Sequence, residues 1–255
     1  MQEPLRDGER LDVVNDNLRL IQKTSGLTFG TDALLLASYI DEKKDARALE
    51  LGGGSGIVSF LVLTREKAAH VTIAEIQPNY AELIQRNADL NALSECVSVL
   101  CTDVRTLSPA PDDGSYHFVF TNPPYMNHGS IINKTEEKAI ARHELAGGIF
   151  DFCAAASKKL KYGGHFYCVF RPDRMSDLFF AMRTNGIEPK MLTAVHASFD
   201  APPSLILVKG KRGGKASLVW TPPLFLYADE KHQKTSASYE EILATGRFSL
   251  RKETI

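Results

Sequence analysis

From residue 46 to residue 121 the chain alternates short apolar strands with helical segments, and that alternation constrains its fold more than any other feature. Residues 46–51, 71–75, 97–101 and 117–121 read as buried strands, with helices over 57–67 and 79–90 between the first three. Strands joined through helices run in the same direction and pair in parallel. The expectation is therefore an α/β fold with a mostly parallel sheet and helices on both faces. Later segments extend it. A helix is expected over 150–160, then Gly163-Gly164 and a strand over 165–170, then a helix over 173–185. Strands at 191–197 and 205–209, a glycine-rich basic turn at 209–215, a short strand at 218–220 and a helix at 239–244 complete the series. Ahead of the core, runs 10–14 and 18–23 flank Asn15-Asp16-Asn17 as a hairpin. Thr31 or Asp32 is expected to N-cap an apolar helix reaching about Ile40. The chain thus divides into an N-terminal hairpin-and-helix extension, 1–45, packed on a core of 46–255, the two forming one structural domain.

Composition excludes several classes. The 255 residues, 44% hydrophobic and 24% charged, suit one globular α/β unit. The polar start is not a signal peptide, and the longest apolar run, 33–40, is far too short to span a membrane. A cytoplasmic protein is the expectation. Cys96, Cys101, Cys153 and Cys168 lack metal-ligand spacing and sit in apolar stretches, so buried free thiols and no metal are expected. The net charge of -1 hides an asymmetry: residues 1–155 balance at -8 and residues 156–255 at +7. A basic half can contact phosphates, or folding can intermix these charges over the surface.

Between the first strand and helix stands Glu50-Leu51-Gly52-Gly53-Gly54-Ser55-Gly56. Glycines there let the backbone approach a ligand, and the following helix N-terminus favours a polar or anionic group. A dinucleotide site requires G-x-G-x-x-G, but Ile57 occupies the place of the third glycine. The acidic-x-Gly-x-Gly-x-Gly pattern instead resembles the motif of class I methyltransferases, which implies S-adenosylmethionine as cofactor and a Rossmann-like, seven-stranded sheet. Glu75, at the end of the second strand, can accept both ribose hydroxyls. Asp103, after the third, resembles the residue that meets the cofactor's adenine amino group.

Asn122-Pro123-Pro124-Tyr125 follows the fourth strand directly. An exocyclic adenine amine is a poor nucleophile because its lone pair is delocalised into the ring. Acceptors for its two N–H groups favour a tetrahedral nitrogen with the lone pair free to attack. The Asn122 side-chain oxygen and the Pro123 carbonyl are the candidate acceptors, held still by the prolines. Tyr125 can stack on the base.

Together these motifs resemble the bacterial tRNA adenine N6-methyltransferase family, whose founding activity targets the anticodon loop of a valine tRNA. Gly30-Thr31-Asp32, Glu75-Ile76-Gln77, Ala141-Arg142-His143-Glu144, Arg171-Pro172 and Pro222-Pro223-Leu224 extend the match. The resemblance implies RNA, in particular tRNA, as substrate, with Thr31, Asp32 and Asn122 bordering the cofactor. Arg171 stands where it can contact RNA or serve structure. Arg142 and His143 read equally as phosphate contacts or as surface salt bridges. Glu50 replaces the usual Asp and Ala74 the usual Gly or Val, and neither change removes a functional group. Two rivals remain: methylation of a protein glutamine amide, which poses the same electronic problem, and a module that binds cofactor without catalysis. The glutamine enzymes carry a helical domain ahead of the core, whereas about 45 residues precede it here.

Overall fold

The computed structural model describes residues 5–25, 29–107, 114–124 and 147–248. Strands β1 (Glu9–Asn15) and β2 (Leu18–Lys23) form an antiparallel hairpin, and the Asn15 side chain accepts a bond from the Asn17 N–H inside the turn. Helix α1 (Thr31–Tyr39) is capped by Gly30 with no side-chain bond, so neither Thr31 nor Asp32 closes the helix as expected. The Asp32 carboxylate instead accepts from the Asn122 amide.

The core begins with β3 (Arg47–Leu51), α2 (Ile57–Thr64), β4 (His70–Glu75), α3 (Pro78–Leu90), β5 (Val97–Cys101) and β6 (Tyr116–Thr121). Helix α2 stops three residues early. Glu66 takes a positive φ of 53° and Lys67 folds back, its ammonium donating to the carbonyls of Ala37, Ser38 and Gly246. The chain continues through α4 (Ile149–Lys159), β7 (Leu160–Phe170), α5 (Met175–Thr184), β8 (Ile187–His196) and β9 (Pro203–Arg212). It ends with β10 (Val219–Trp220), β11 (Leu224–Phe225) and α6 (Ala237–Thr245), the last capped by the Ser236 hydroxyl.

The glycine pair 163–164 does not precede β7 but lies within it. Tyr116 pairs with Leu160 and Phe118 with His165, so residues 161–164 bulge opposite His117. A Cβ on Gly164 would sit 2.8 Å from the His117 carbonyl oxygen, which explains a glycine at that point.

The main sheet runs β10-β8-β9-β7-β6-β3-β4-β5, with β11 also paired to β8. Among the described residues it holds the seven expected strands, β3 to β9, and two more of two residues each, β10 and β11, that extend the β8 edge. Among the described strands of this sheet, only β9 is antiparallel to its neighbours, against both β7 and β8. Side chains alternate across the sheet. Ala48, Val71, Phe118 and Phe120 join α1 and α2 on one face, while Leu49, Leu51, Val119 and Phe166 join α4 and α5 on the other. Fully burying each large apolar side chain contributes about 1.5–3 kcal/mol. Cys153 and Cys168 are buried as free thiols, but Cys101 is exposed, since it ends edge strand β5.

The hairpin docks on α3 through side-chain amides. Asn87 bonds both the N–H and the carbonyl of Ile21, and Asn91, one turn later, does the same for Arg19. These amides complete the open edge of β2. Arg86 adds a buried bidentate pair with Glu9. No described helix is long and apolar enough to cross a membrane.

Candidate cofactor and methyl-transfer site

The chain passes from β3 to β4 and β5 on one side, then crosses to β6 on the other. This strand-order reversal leaves a crevice at the carboxyl ends, where open α/β sheets bind ligands. A cavity of about 610 Å³ occupies it. That volume lies in the range of cofactor pockets.

The glycine loop forms its floor. The N–H groups of Gly52 and Gly53 donate to the Ala74 carbonyl, tying the loop to the neighbouring strand. Gly54 has φ of +54°, and a Cβ added there would meet nothing within 4 Å, so the backbone itself faces open cavity. Gly53 is constrained differently: its Cβ would lie 2.2 Å from Ile73 Cγ2. Gly56 does not line the cavity. It caps α2 at φ +82°, where a Cβ would strike the Phe60 ring.

Glu75 closes one end. Its Oε2 accepts from the Gly54 N–H at 2.8 Å and its Oε1 from the Gln77 N–H at 2.9 Å. Burial raises its pKa, and the backbone donors oppose that rise. Two such fixed oxygens, each with a further lone pair, match vicinal ribose hydroxyls. Ile76 and Val104 line the cavity beside it and offer apolar walls to a flat ring. Glu50 lies deeper, 1% exposed, with the Ser59 hydroxyl donating to it. Burial, opposed by Ser59 and reinforced by the Glu75 charge, pushes its carboxyl up to about 8.

The opposite end holds Asn122, Pro123 and Pro124, all lining the cavity just beyond β6. Asn122 Nδ2 donates to Asp32 Oδ2 at 2.8 Å. A carboxylate only accepts, so this bond fixes which way the amide points and sets Oδ1 on its far side. Arg171, after β7, also lines the cavity and pairs with Asp173 at 2.7 and 2.9 Å. Phe152 of α4 backs Gly52, and Ser204 and Leu205 form a wall from the start of β9.

The structure therefore brings Asp32, Glu50, Gly52, Gly54 and Glu75 into one cavity with Asn122, Pro123, Pro124 and Arg171. Thr31 and Asp103 do not line it. Asp103 caps the short turn Val104–Thr106 and gives its carboxylate to Arg105, while the next residue, Val104, takes the wall position. Tyr125, Arg142 and His143 lie outside the described residues. Phe29, Val104, Phe152, Ser204 and Leu205 carry no motif role in the sequence, and Ile76 enters only within Glu75-Ile76-Gln77; Val104 has a signal of its own, directly following Asp103. The basic run moves away from the site. Lys209, Lys211 and Arg212 belong to β9 rather than a turn, and Lys211 pairs with His165 and Glu188 near the amino ends of β7 and β8. An antiparallel strand that starts at the cavity must end far from it. Six residues at about 3.3 Å place Lys211 some 20 Å from Leu205.

The donors and the cradle fit S-adenosylmethionine, and two glycines separate its binding from folding. Gly54→Val should lower affinity for S-adenosylhomocysteine by about 100-fold or more, because its side chain enters the cavity. The left-handed backbone adds roughly 1–2 kcal/mol of strain. Gly53→Ala should instead cost about 1–3 kcal/mol through overpacking against Ile73. Calorimetric titration and thermal melts of both variants check this; a Gly54→Val protein that binds normally would refute the cradle.

Residues 24–181 match the methyltransferase small domain family. A tRNA1(Val) (adenine(37)-N6)-methyltransferase from Enterobacter sp. (strain 638) is 31% identical over 152 residues, 59% of this chain and 60% of that protein. One of the same name from Porphyromonas gingivalis is 25% identical over 242 residues, 88% of this chain and 94% of that protein. The crystal structure of a predicted O-methyltransferase from Agrobacterium tumefaciens shares the fold, with TM-score 0.70 and 24% identity over 87% of this chain and all of that one. Glycine cradle, strand-end acid and strand order agree with the family match across more than half the sequence: the chain belongs to the methyltransferase small domain family.

Proposed function

We propose that this protein transfers a methyl group from S-adenosylmethionine to the exocyclic N6 of an adenosine in tRNA, acting in the cytoplasm. The observation that carries the reading is the Asp32–Asn122 bond at the mouth of the cofactor cavity. It presets an amide oxygen as acceptor before substrate arrives, and Pro123 and Pro124 stiffen the backbone behind it. The names of the relatives from Enterobacter and Porphyromonas supply the substrate class.

Bound S-adenosylmethionine supplies an electrophilic methyl group on a sulfonium. Glu75 holds the ribose hydroxyls, and Gly54 lets the ligand lie against the backbone. Asn122 Oδ1 and the Pro123 carbonyl accept the two N–H bonds of the amine, directing its lone pair along the line of attack. The gain is alignment. The amine, once alkylated, is acidic enough to give its extra proton to solvent, so Asp32 remains free to hold Asn122. Tyr125, next to Pro124 in sequence, is assigned to stack on the base, and Arg171 to meet the polynucleotide beside the cavity.

The test is to incubate the protein with radiolabelled S-adenosylmethionine and separate pools of tRNA, rRNA, DNA and protein, then digest and identify the labelled product. N6-methyladenosine from tRNA is expected. Label confined to a protein glutamine would replace this reading with its rival.

A further inference from the structure

The loop joining β8 to β9 carries Phe199, 80% exposed, at the same end of the sheet as the cavity. Its ring lies 5.7 Å from Phe225, which lies 5.3 Å from His196, so the three form one aromatic cluster rather than a lone exposed side chain. The cluster is built, not loose. Strand β11 pairs Phe225 with His196, and His196 Nδ1 bonds the Ala201 carbonyl at 2.8 Å across the loop. The Leu226 and Tyr227 N–H groups bond the carbonyls of His196 and Ala197. The same loop leads within a few residues into Ser204 and Leu205, which are cavity wall. An exposed aromatic ring, backed by half-buried Phe225 and His196 at the same end of the sheet as a site for a flat base, suits the unpaired bases of an RNA loop, whatever their sequence.

Resting on the RNA reading above, we propose that Phe199 and Phe225 are a stacking platform for nucleotides flanking the target adenosine. Strand spacing sets its reach. From Arg171 at the end of β7, across β9 and β8 to Phe225 on β11, are three steps of about 4.8 Å, or about 14 Å. That spans on the order of four stacked nucleotides at 3.4 Å each. Exposed Lys231 and Lys234, which follow β11, supply cations near the same edge for the backbone phosphates.

Three variants test this with an unmodified valine tRNA transcript. Phe199→Ala and Phe199→Leu should raise the KM for tRNA by about tenfold or more, leaving kcat at saturating tRNA and affinity for S-adenosylhomocysteine unchanged. Phe199→Trp should stay within about twofold of wild type, since any aromatic ring stacks. Its added fluorescence, measured against wild type whose one tryptophan is Trp220, should be quenched by tRNA. A Leu variant with wild-type KM reduces the contact to apolar packing and overturns the proposal, as does an Ala variant with unchanged KM. A wild-type dimer that Phe199→Ala dissociates, with KM unaltered, overturns it in favour of an interface between chains. In each of these cases wild type methylates tRNA and the proposed function stands; if wild type transfers no methyl group to tRNA, both fall together.

Discussion

Asn122→Ala is expected to lower turnover by about 10²- to 10³-fold, or roughly 2.7–4 kcal/mol, with affinity for S-adenosylhomocysteine within about twofold of wild type. The two effects separate because the acceptor matters most while the amine becomes tetrahedral, whereas the groups proposed to hold the cofactor, Glu75 and the glycine floor, lie at the other end of the cavity. Asp32→Ala provides the second arm. It leaves Asn122 in place but removes the carboxylate that accepts from Nδ2, so the amide loses the bond that sets its orientation toward the cavity. Turnover should fall by about tenfold or more, again without loss of cofactor. Single-turnover kinetics on tRNA at saturating cofactor measure both. If Asn122→Ala keeps more than about half of wild-type turnover, the assigned acceptor is wrong.

What was legible in the sequence is what depends on neighbours along the chain. Strand-helix alternation, the glycine loop and the acid ending β4 are local patterns set by φ/ψ preference and side-chain periodicity. The missing parts depend on pairs far apart in sequence. Asp32 and Asn122 are 90 residues apart, and α1 read alone makes Asp32 look like a cap. Gly30 takes that place, which leaves the carboxylate to the site. The Gly163-Gly164 pair looked like a strand boundary because nothing local reveals the bulge that keeps β7 paired on both sides. Direction was the costliest loss. Counting lysines between 209 and 215 finds a basic segment, but only the antiparallel setting of β9 shows that Ser204 faces the cavity and the lysines leave it. The same reversal brings Phe199, which no motif marks, to the end of the sheet that holds the cavity.

Glu50→Gln is expected to stabilise the protein while weakening its hold on cofactor. Glu50 is buried below the glycine floor with Ser59 donating to it, and burial together with the Glu75 charge lifts its carboxyl from 4.5 to about 8. Between those values the folded protein keeps a proton that the unfolded chain releases. Its contribution to stability is thus fully present below about 4.5 and is lost as pH rises through about 8. A shift of this size caps that loss at about 4–5 kcal/mol. Glutamine keeps the acceptor for Ser59 but never ionises, so the melting temperature of Glu50→Gln should match wild type near pH 4.5 and exceed it increasingly toward pH 8. Function pulls the other way. A positively charged ligand in the cavity favours the ionised form, so binding of S-adenosylmethionine should release a proton, and wild-type affinity should climb with pH toward about 8. The glutamine variant should bind weakly with a flat pH profile. Titration calorimetry in two buffers of different ionisation enthalpy counts the released proton, and melts from pH 4.5 to 8 follow the stability. A variant less stable than wild type at pH 8, or wild-type binding that exchanges no proton, would show that Glu50 serves the sheet alone.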